Sequence, residues 1–188
     1  GSVFIVNVDA GRGAFVEHRE GIAPYAQMHV SAPALEEDID AFTEALGESV
    51  TAALDRTGLY HDEAVAMVNT WKRQWFRTPG LRLLYLVPQS WTEASIPLSL
   101  DVAPDELVRV MMIRVELITP ELEALDQAAL AKLSAIESAP EAHAYFSALR
   151  RFAEPRLRRA IAVAGSPPYA DALLNELASA DTNQRMGE

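Results

Sequence analysis

Residues 61–88 read HDEAVAMVNTWKRQWFRTPGLRLLYLVP: a helix, a tight turn and a buried strand in immediate succession. Ala64, Met67, Val68, Trp71 and Trp75 recur at i, i+3, i+4, i+7 and i+11, one stripe of a 3.6-residue period. Asp62 and Glu63 fall in the first turn and Lys72, Arg73 and Arg77 near the last, the arrangement that suits the partial charges at helix ends. Thr78-Pro79-Gly80 stops the helix, because proline disfavours a helical residue before it and glycine permits a left-handed turn. The apolar run 81–87 has the length of a strand and closes at Pro88. A turn this tight folds the strand back along the helix, so the unit predicts an α+β fold, with Trp75 buried against Leu83 or Tyr85.

Upstream, residues 3–8 (VFIVNV) are rich in β-branched side chains and read as a strand. Asp9-Ala10-Gly11-Arg12-Gly13 is turn chemistry, and residues 14–18 resume an extended pattern, so a hairpin is expected. The Gly-x-Gly has no Walker-type lysine or following helix, and reads as the turn and not as a phosphate loop. A third strand is expected at 25–30. A helix over about 35–57 follows, with Leu35, Ile39, Phe42, Leu46, Val50 and Leu54 as its buried stripe and Gly58 at its C-cap. Its outer face (Glu36, Glu37, Asp38, Asp40, Glu44, Glu48, Asp55) lacks the calcium-loop pattern and reads as a solvated face.

Downstream, residues 96–102 alternate with period two and predict a strand, with Pro97 placing it at an edge or a strand start. Residues 107–118 predict another, whose two apolar faces argue for a central position. From Thr119 the character is helical. Thr119 is an N-cap followed by Pro120, Ser138-Ala139-Pro140-Glu141 fits a capping box, and Pro155 marks a kink or new start. Ser166-Pro167-Pro168 opens a last helix that is expected to fray from Ala180. The expected architecture is therefore a mixed or mainly antiparallel sheet covered by helices in residues 1–118. A helical C-terminal section, 119–188, is expected to pack on it.

The 188 residues carry a formal net charge of -11, which argues against a nucleic-acid partner and against an anionic membrane face. With no cysteine, disulfides, thiolate metal sites and cysteine nucleophiles are excluded. No apolar run reaches membrane-spanning length. Gly1-Ser2 reads as a cloning remnant, so a native N-terminus with any leader is expected upstream.

Chemistry-bearing motifs are sparse. His18, His29, His61 and His143 are scattered, and only His61-Asp62-Glu63 sets imidazole beside carboxylates, where a helix start accounts for the triplet. No H-E-x-x-H or G-x-S-x-G occurs, so no metal, no cofactor and no catalytic residue is assigned. Trp71 and Trp75 read as core, whereas Trp91 sits on a connection and is the better candidate for a ligand or partner surface. Arg109, Arg114 and Glu116 interrupt an apolar strand and read as a structural ion pair, with Arg109 and Arg114 kept as candidate contact residues. The basic cluster Arg150, Arg151, Arg156, Arg158 and Arg159 is expected to face either the acidic helix or an acidic protein partner, with Arg150 and Arg151 as the candidate contacts.

The segments Gly58-Leu59-Tyr60, Asp62-Glu63-Ala64, Met67-Val68, Trp71 and Pro79-Gly80-Leu81 look similar to a set of uncharacterised bacterial proteins. So do Trp91-Thr92, Pro97-Leu98, Pro104, residues 107–110, Arg114, Glu116 and Thr119-Pro120. The resemblance covers about the middle third of the chain and implies no catalytic residue. It implies an exported protein, and hence an extracytoplasmic, envelope-associated domain. The function expected from these features is a non-catalytic binding or scaffolding domain. The alternative is a small hydrolase with a site near His61 or the Trp91/Arg114 region.

Overall fold

The computed structural model describes residues 1–21, 27, 29, 31–102 and 104–186. They form two compact units, residues 1–117 and 118–188. The first is an α+β unit. Its five-stranded sheet has the order β3-β2-β1-β4-β5, and every pairing is antiparallel. Strand β1 (Val3–Asp9) pairs with β2 (Arg12–His18) through the Ala10-Gly11 turn. Both turn residues have positive φ, 47° and 74°, the handedness that matches the strand twist in a two-residue hairpin.

Strand β4 (Gly80–Val87) lies on the other side of β1, and β5 (Met111–Leu117) pairs with β4. Helices α1 (Ile39–Asp55) and α2 (His61–Trp75) cover one face. There Phe4, Val6, Val8, Leu84 and Leu86 meet Phe42, Leu46, Val50, Leu54, Ala64 and Val68. Each buried Val, Leu or Phe side chain among them contributes about 1.5–3 kcal/mol. Val3 and Ile5 point to the opposite face and are buried too, which is why the start of β1 is apolar without alternation.

Several sequence expectations are corrected. Helix α1 begins at Ile39 and not near Leu35: Asp38 accepts a hydrogen bond from the Asp40 N–H at 2.9 Å and caps the helix. Glu37–Asp38 instead forms the short strand β3 against β2. Residues 96–102 join no strand among the described residues. They follow a short helix, α3 (Gln89–Ser95), as irregular chain with bends at Ile96, Asp101 and Val102. β5 starts at Met111, later than expected, and is an edge strand and not a central one among the described residues. The strand expected at 25–30 lies outside the described residues apart from Gln27 and His29.

Trp75 is half-buried on the helix face of the sheet. Leu83 and Tyr85, its expected partners, pair with Ile5 and Val3 and so point to the other face. Its ring instead stacks on Trp71, centroids 5.3 Å apart, and Trp71 is 41% exposed. The aromatic that fills the core is the next residue, Phe76, only 1% exposed.

The second unit is helical: α4 (Pro120–Ala131), α5 (Ala139–Ala148), α6 (Ala153–Ala164) and α7 (Ala170–Met186). Thr119 caps α4, accepting from the Leu122 N–H at 3.3 Å. The capping box at Ser138 does not form. Its backbone is already helical (φ -101°, ψ -8°), and its hydroxyl donates back to the Lys132 carbonyl at 2.6 Å. Helix α7 runs on past Ala180 to Met186, where fraying was expected. Leu130, Leu133, Phe146, Leu157, Ala160 and Leu173 form this unit's core. Inside it, buried Asp126 accepts from Arg156 Nε at 2.9 Å and from the Tyr145 hydroxyl at 2.8 Å. Burial first, and then the bond to Asp126, push the Tyr145 phenol up to about 12.

Candidate functional site

The arginine-containing strand expected to hold an ion pair does so, around a residue the sequence reading passed over. Arg82 is 0% exposed. Its β4 register places it opposite Val6 and Glu116, facing the end of α2. It donates to the Trp75 carbonyl at 2.7 Å, to the Thr78 carbonyl, to the Pro79 carbonyl at 3.0 Å and to Glu116 at 3.3 Å. Arg114 adds a bond to the Gln74 carbonyl at 2.7 Å and pairs with Glu116. Two guanidiniums thus satisfy the carbonyls that a helix leaves unpaired at its C-terminus, where its dipole also favours positive charge. Arg114 is thus engaged at the end of α2. Arg109 lies just before β5, half-buried, and makes no ion pair among the described residues.

At the opposite edge of the sheet, Glu17 gathers four donors. Its carboxylate accepts from Ser2 at 3.1 Å, Ser49 at 3.2 Å, Arg19 at 3.3 Å and Arg56. Burial pushes this carboxyl up, but the Ser2 bond, the Arg56 charge and the remaining bonds outweigh it and hold it below its ordinary value. This cluster ties β2 to α1 and leaves no free carboxylate oxygen.

His61 lines a groove of about 400 Å³ between α1 and α2, together with Glu44, Glu48, Asp55, Asn69 and Lys72. Its Nδ1 lies 3.0 Å from Asp55 Oδ2. A carboxylate on Nδ1 orients an imidazole as it does in a hydrolase triad. The Asp55 bond and charge also raise the pKa of His61 above its ordinary value. No hydroxyl is hydrogen-bonded to its Nε2 among the described residues.

A Ser–His–carboxylate chain does occur in the helical unit, and the sequence reading missed it. Ser147 Oγ is 3.3 Å from His143 Nδ1, and His143 Nε2 is 2.9 Å from Glu176 Oε1. The Ser147–His143 spacing of four on α5 was its readable half; Glu176 comes from α7. The relay lacks an oxyanion site, because the N–H groups around Ser147 are committed to the ladder of α5. Ser147 also does not line the groove that His143 borders. No group of three or more His, Asp or Glu side chains among the described residues is placed to hold a metal ion.

What remains exposed is apolar. On α3 the one buried residue is Thr92, which turns Trp91 outward at 62% exposure. Ile96, Leu98, Leu100, Val102 and Leu107 are exposed along the chain that follows, Val102 at 81%. Of the basic cluster, Arg156, Arg158 and Arg159 pair with Asp126, Glu154 and Glu123 of their own unit. Arg150 and Arg151 stay exposed without an ion pair among the described residues. Arg150 holds a positive φ of 52°, and Arg151 lies over the Phe152 ring at 4.8 Å.

The chain matches no protein-family model, no curated protein and no solved structure. The fold and the side-chain geometry define an α+β unit followed by a helical one, and no helix among the described residues is long and apolar enough to cross a membrane.

Proposed function

We propose that the chain is a non-catalytic binding or scaffolding domain, with residues 91–107 as its principal contact surface and Trp91 as the anchor. One observation carries the reading: a tryptophan and a run of large aliphatic side chains stand in water along one stretch of sequence, beside a buried threonine. Exposed apolar clusters of this kind mark interaction sites, and tryptophan dominates the energetics of such contacts. The ionisable residues that could have argued for chemistry are engaged in ending α2, joining α1 to the sheet or joining helices of the second unit. Arg109 borders the stretch, and Arg150 and Arg151 offer a separate cationic contact to an acidic partner. The envelope setting and the bacterial origin rest on the resemblance of the middle third alone.

The test is site-specific photocrosslinking from position 98 in the cells that make the protein, followed by binding measurements with the purified adduct partner. A discrete adduct whose affinity drops tenfold or more in Trp91→Ala and in Leu98→Asp supports the reading. Failure to trap any discrete species, or affinity unmoved by both changes, refutes it.

The hydrolase reading keeps one observation in its favour, the oriented His61–Asp55 pair at the groove between α1 and α2. Hydrolysis of a broad ester and amide panel that disappears in His61→Ala would establish it.

A further inference from the structure

The helical unit carries a second candidate site, independent of the contact surface above. Between the 3-10 turn after α4, the start of α5 and α7 lies a groove of about 500 Å³. Its walls are mostly apolar, with Leu133, Ile136, Pro140 and Leu173 among them. That volume lies within the range of small-molecule sites, as does the pattern of apolar walls with few polar groups. Its polar groups are Tyr169 and the hydrogen-bonded pair His143 and Glu176.

The hydrogen bonds already made there decide what a ligand must bring. Both imidazole nitrogens of His143 are engaged, Nδ1 with Ser147 at 3.3 Å and Nε2 with Glu176 Oε1 at 2.9 Å. Glu176 Oε2 accepts no hydrogen bond among the described residues. Glu176 Oε2 is thus an open acceptor carrying negative charge, and a ligand group placed against it must donate. A carboxylate or phosphate would meet Glu176 as a like charge.

We propose that this groove binds a small amphipathic cation, a primary ammonium on a short alkyl or aryl body. The ammonium sits on Glu176, and the body lies against Ile136, Pro140 and Leu173.

The test titrates the whole chain with 4-phenylbutylammonium, 4-phenylbutanoate and 4-phenylbutanol, following backbone amide shifts by NMR. Saturable shifts confined to residues around Ile136, Ala172 and Glu176 are expected for the ammonium. Its affinity should exceed that of the carboxylate by about tenfold or more, the scale of one charged hydrogen bond. Glu176→Gln keeps an acceptor for His143 but removes the charge, and it should abolish the preference. Ala172→Trp, at an exposed position lining the groove, should block all three ligands while the circular dichroism spectrum is unchanged. Absence of saturable shifts, shifts centred elsewhere, equal binding of the carboxylate, or a preference that survives Glu176→Gln would each overturn the proposal.

Discussion

Arg82→Met removes a guanidinium with no exposed surface and leaves its acceptors without a donor: the carbonyls of Trp75, Thr78 and Pro79, and one side of Glu116. Methionine replaces most of the lost volume, so the cost is polar and not a cavity. Removing one member of a buried pair costs about 3–5 kcal/mol. Glu116 retains Arg114, which pulls the figure down, whereas each stranded carbonyl adds about 1 kcal/mol or more. The expected loss is therefore about 3–5 kcal/mol, a shift of roughly 2 M in the urea midpoint at a typical m of about 2 kcal/mol/M. Arg82→Lys keeps the charge but not the fork, and should fall between the parent and the methionine variant. The assay is specific, because Trp71, Trp75 and Trp91 are the only tryptophans and all lie in residues 1–117. Urea unfolding followed by tryptophan emission thus reports the α+β unit alone. A loss below about 1 kcal/mol for Arg82→Met would refute the view that this side chain terminates α2.

Phe76→Ala should cost about 3–5 kcal/mol and the half-buried Trp75→Ala about half as much; the reverse order in the same melts would place the core aromatic wrongly. Gly13→Ala should cost about 1–3 kcal/mol, because a Cβ there would sit 2.4 Å from the Phe42 ring. A neutral result in urea melts would show that α1 can withdraw from β2. For His61, the pKa is raised on folding, so the stability gained from the Asp55 pair is complete below the ordinary value of 6.5 and is lost as pH rises through the raised one. An NMR titration should put His61 above 6.5 in the parent and closer to it in Asp55→Asn; an unchanged midpoint contradicts the pairing.

The elements that were legible in the sequence are those whose burial follows one simple period. Phe42, Leu46, Val50 and Leu54 declare α1, Ala64 and Val68 declare α2, and the apolar runs of β1 and β4 declare strands buried on at least one face. Period alone does not choose partners. Residues 96–102 alternate like a half-buried strand, but a strand also needs a partner, and among the described residues they pair with none, although β5 has a neighbour on one side only. The two apolar faces of β5 read as a central strand, yet its pairing is with β4 alone. Arg82 alternates with Leu81 and Leu83 as a solvent-facing residue would. Only the register, which sets it opposite Glu116 and under the last turn of α2, reveals that its face is the inner one. Phe76 was hidden for a related reason: it falls one residue off the helical stripe, at the C-cap, where the chain leaves the helix and the period no longer applies. Of the candidate contacts, Trp91 was legible because a tryptophan on a connection has no stripe to belong to. Ser147, His143 and Glu176 were not, since one of the three comes from a helix 33 residues from His143.

The charge pattern around Trp91 narrows what a partner must look like. From 91 to 107 every ionisable side chain is an acid, Glu93, Asp101, Asp105 and Glu106, and all of them are exposed. The apolar side chains Trp91, Ile96, Leu98, Leu100 and Val102 lie among these carboxylates. That is the anatomy of an interface with an apolar centre and a charged rim. On the reading proposed above, the complementary surface would offer a pocket for the indole, apolar ground for the aliphatic run and basic residues around it. The two parts act at different stages. Rim charges steer encounter and are screened by salt, so they set how fast and with whom the surface associates, whereas the desolvated centre sets how long the complex lasts. On the same reading a net charge of -11 favours basic surfaces at this stretch from a distance, and leaves an acidic partner to the separate contact at Arg150 and Arg151.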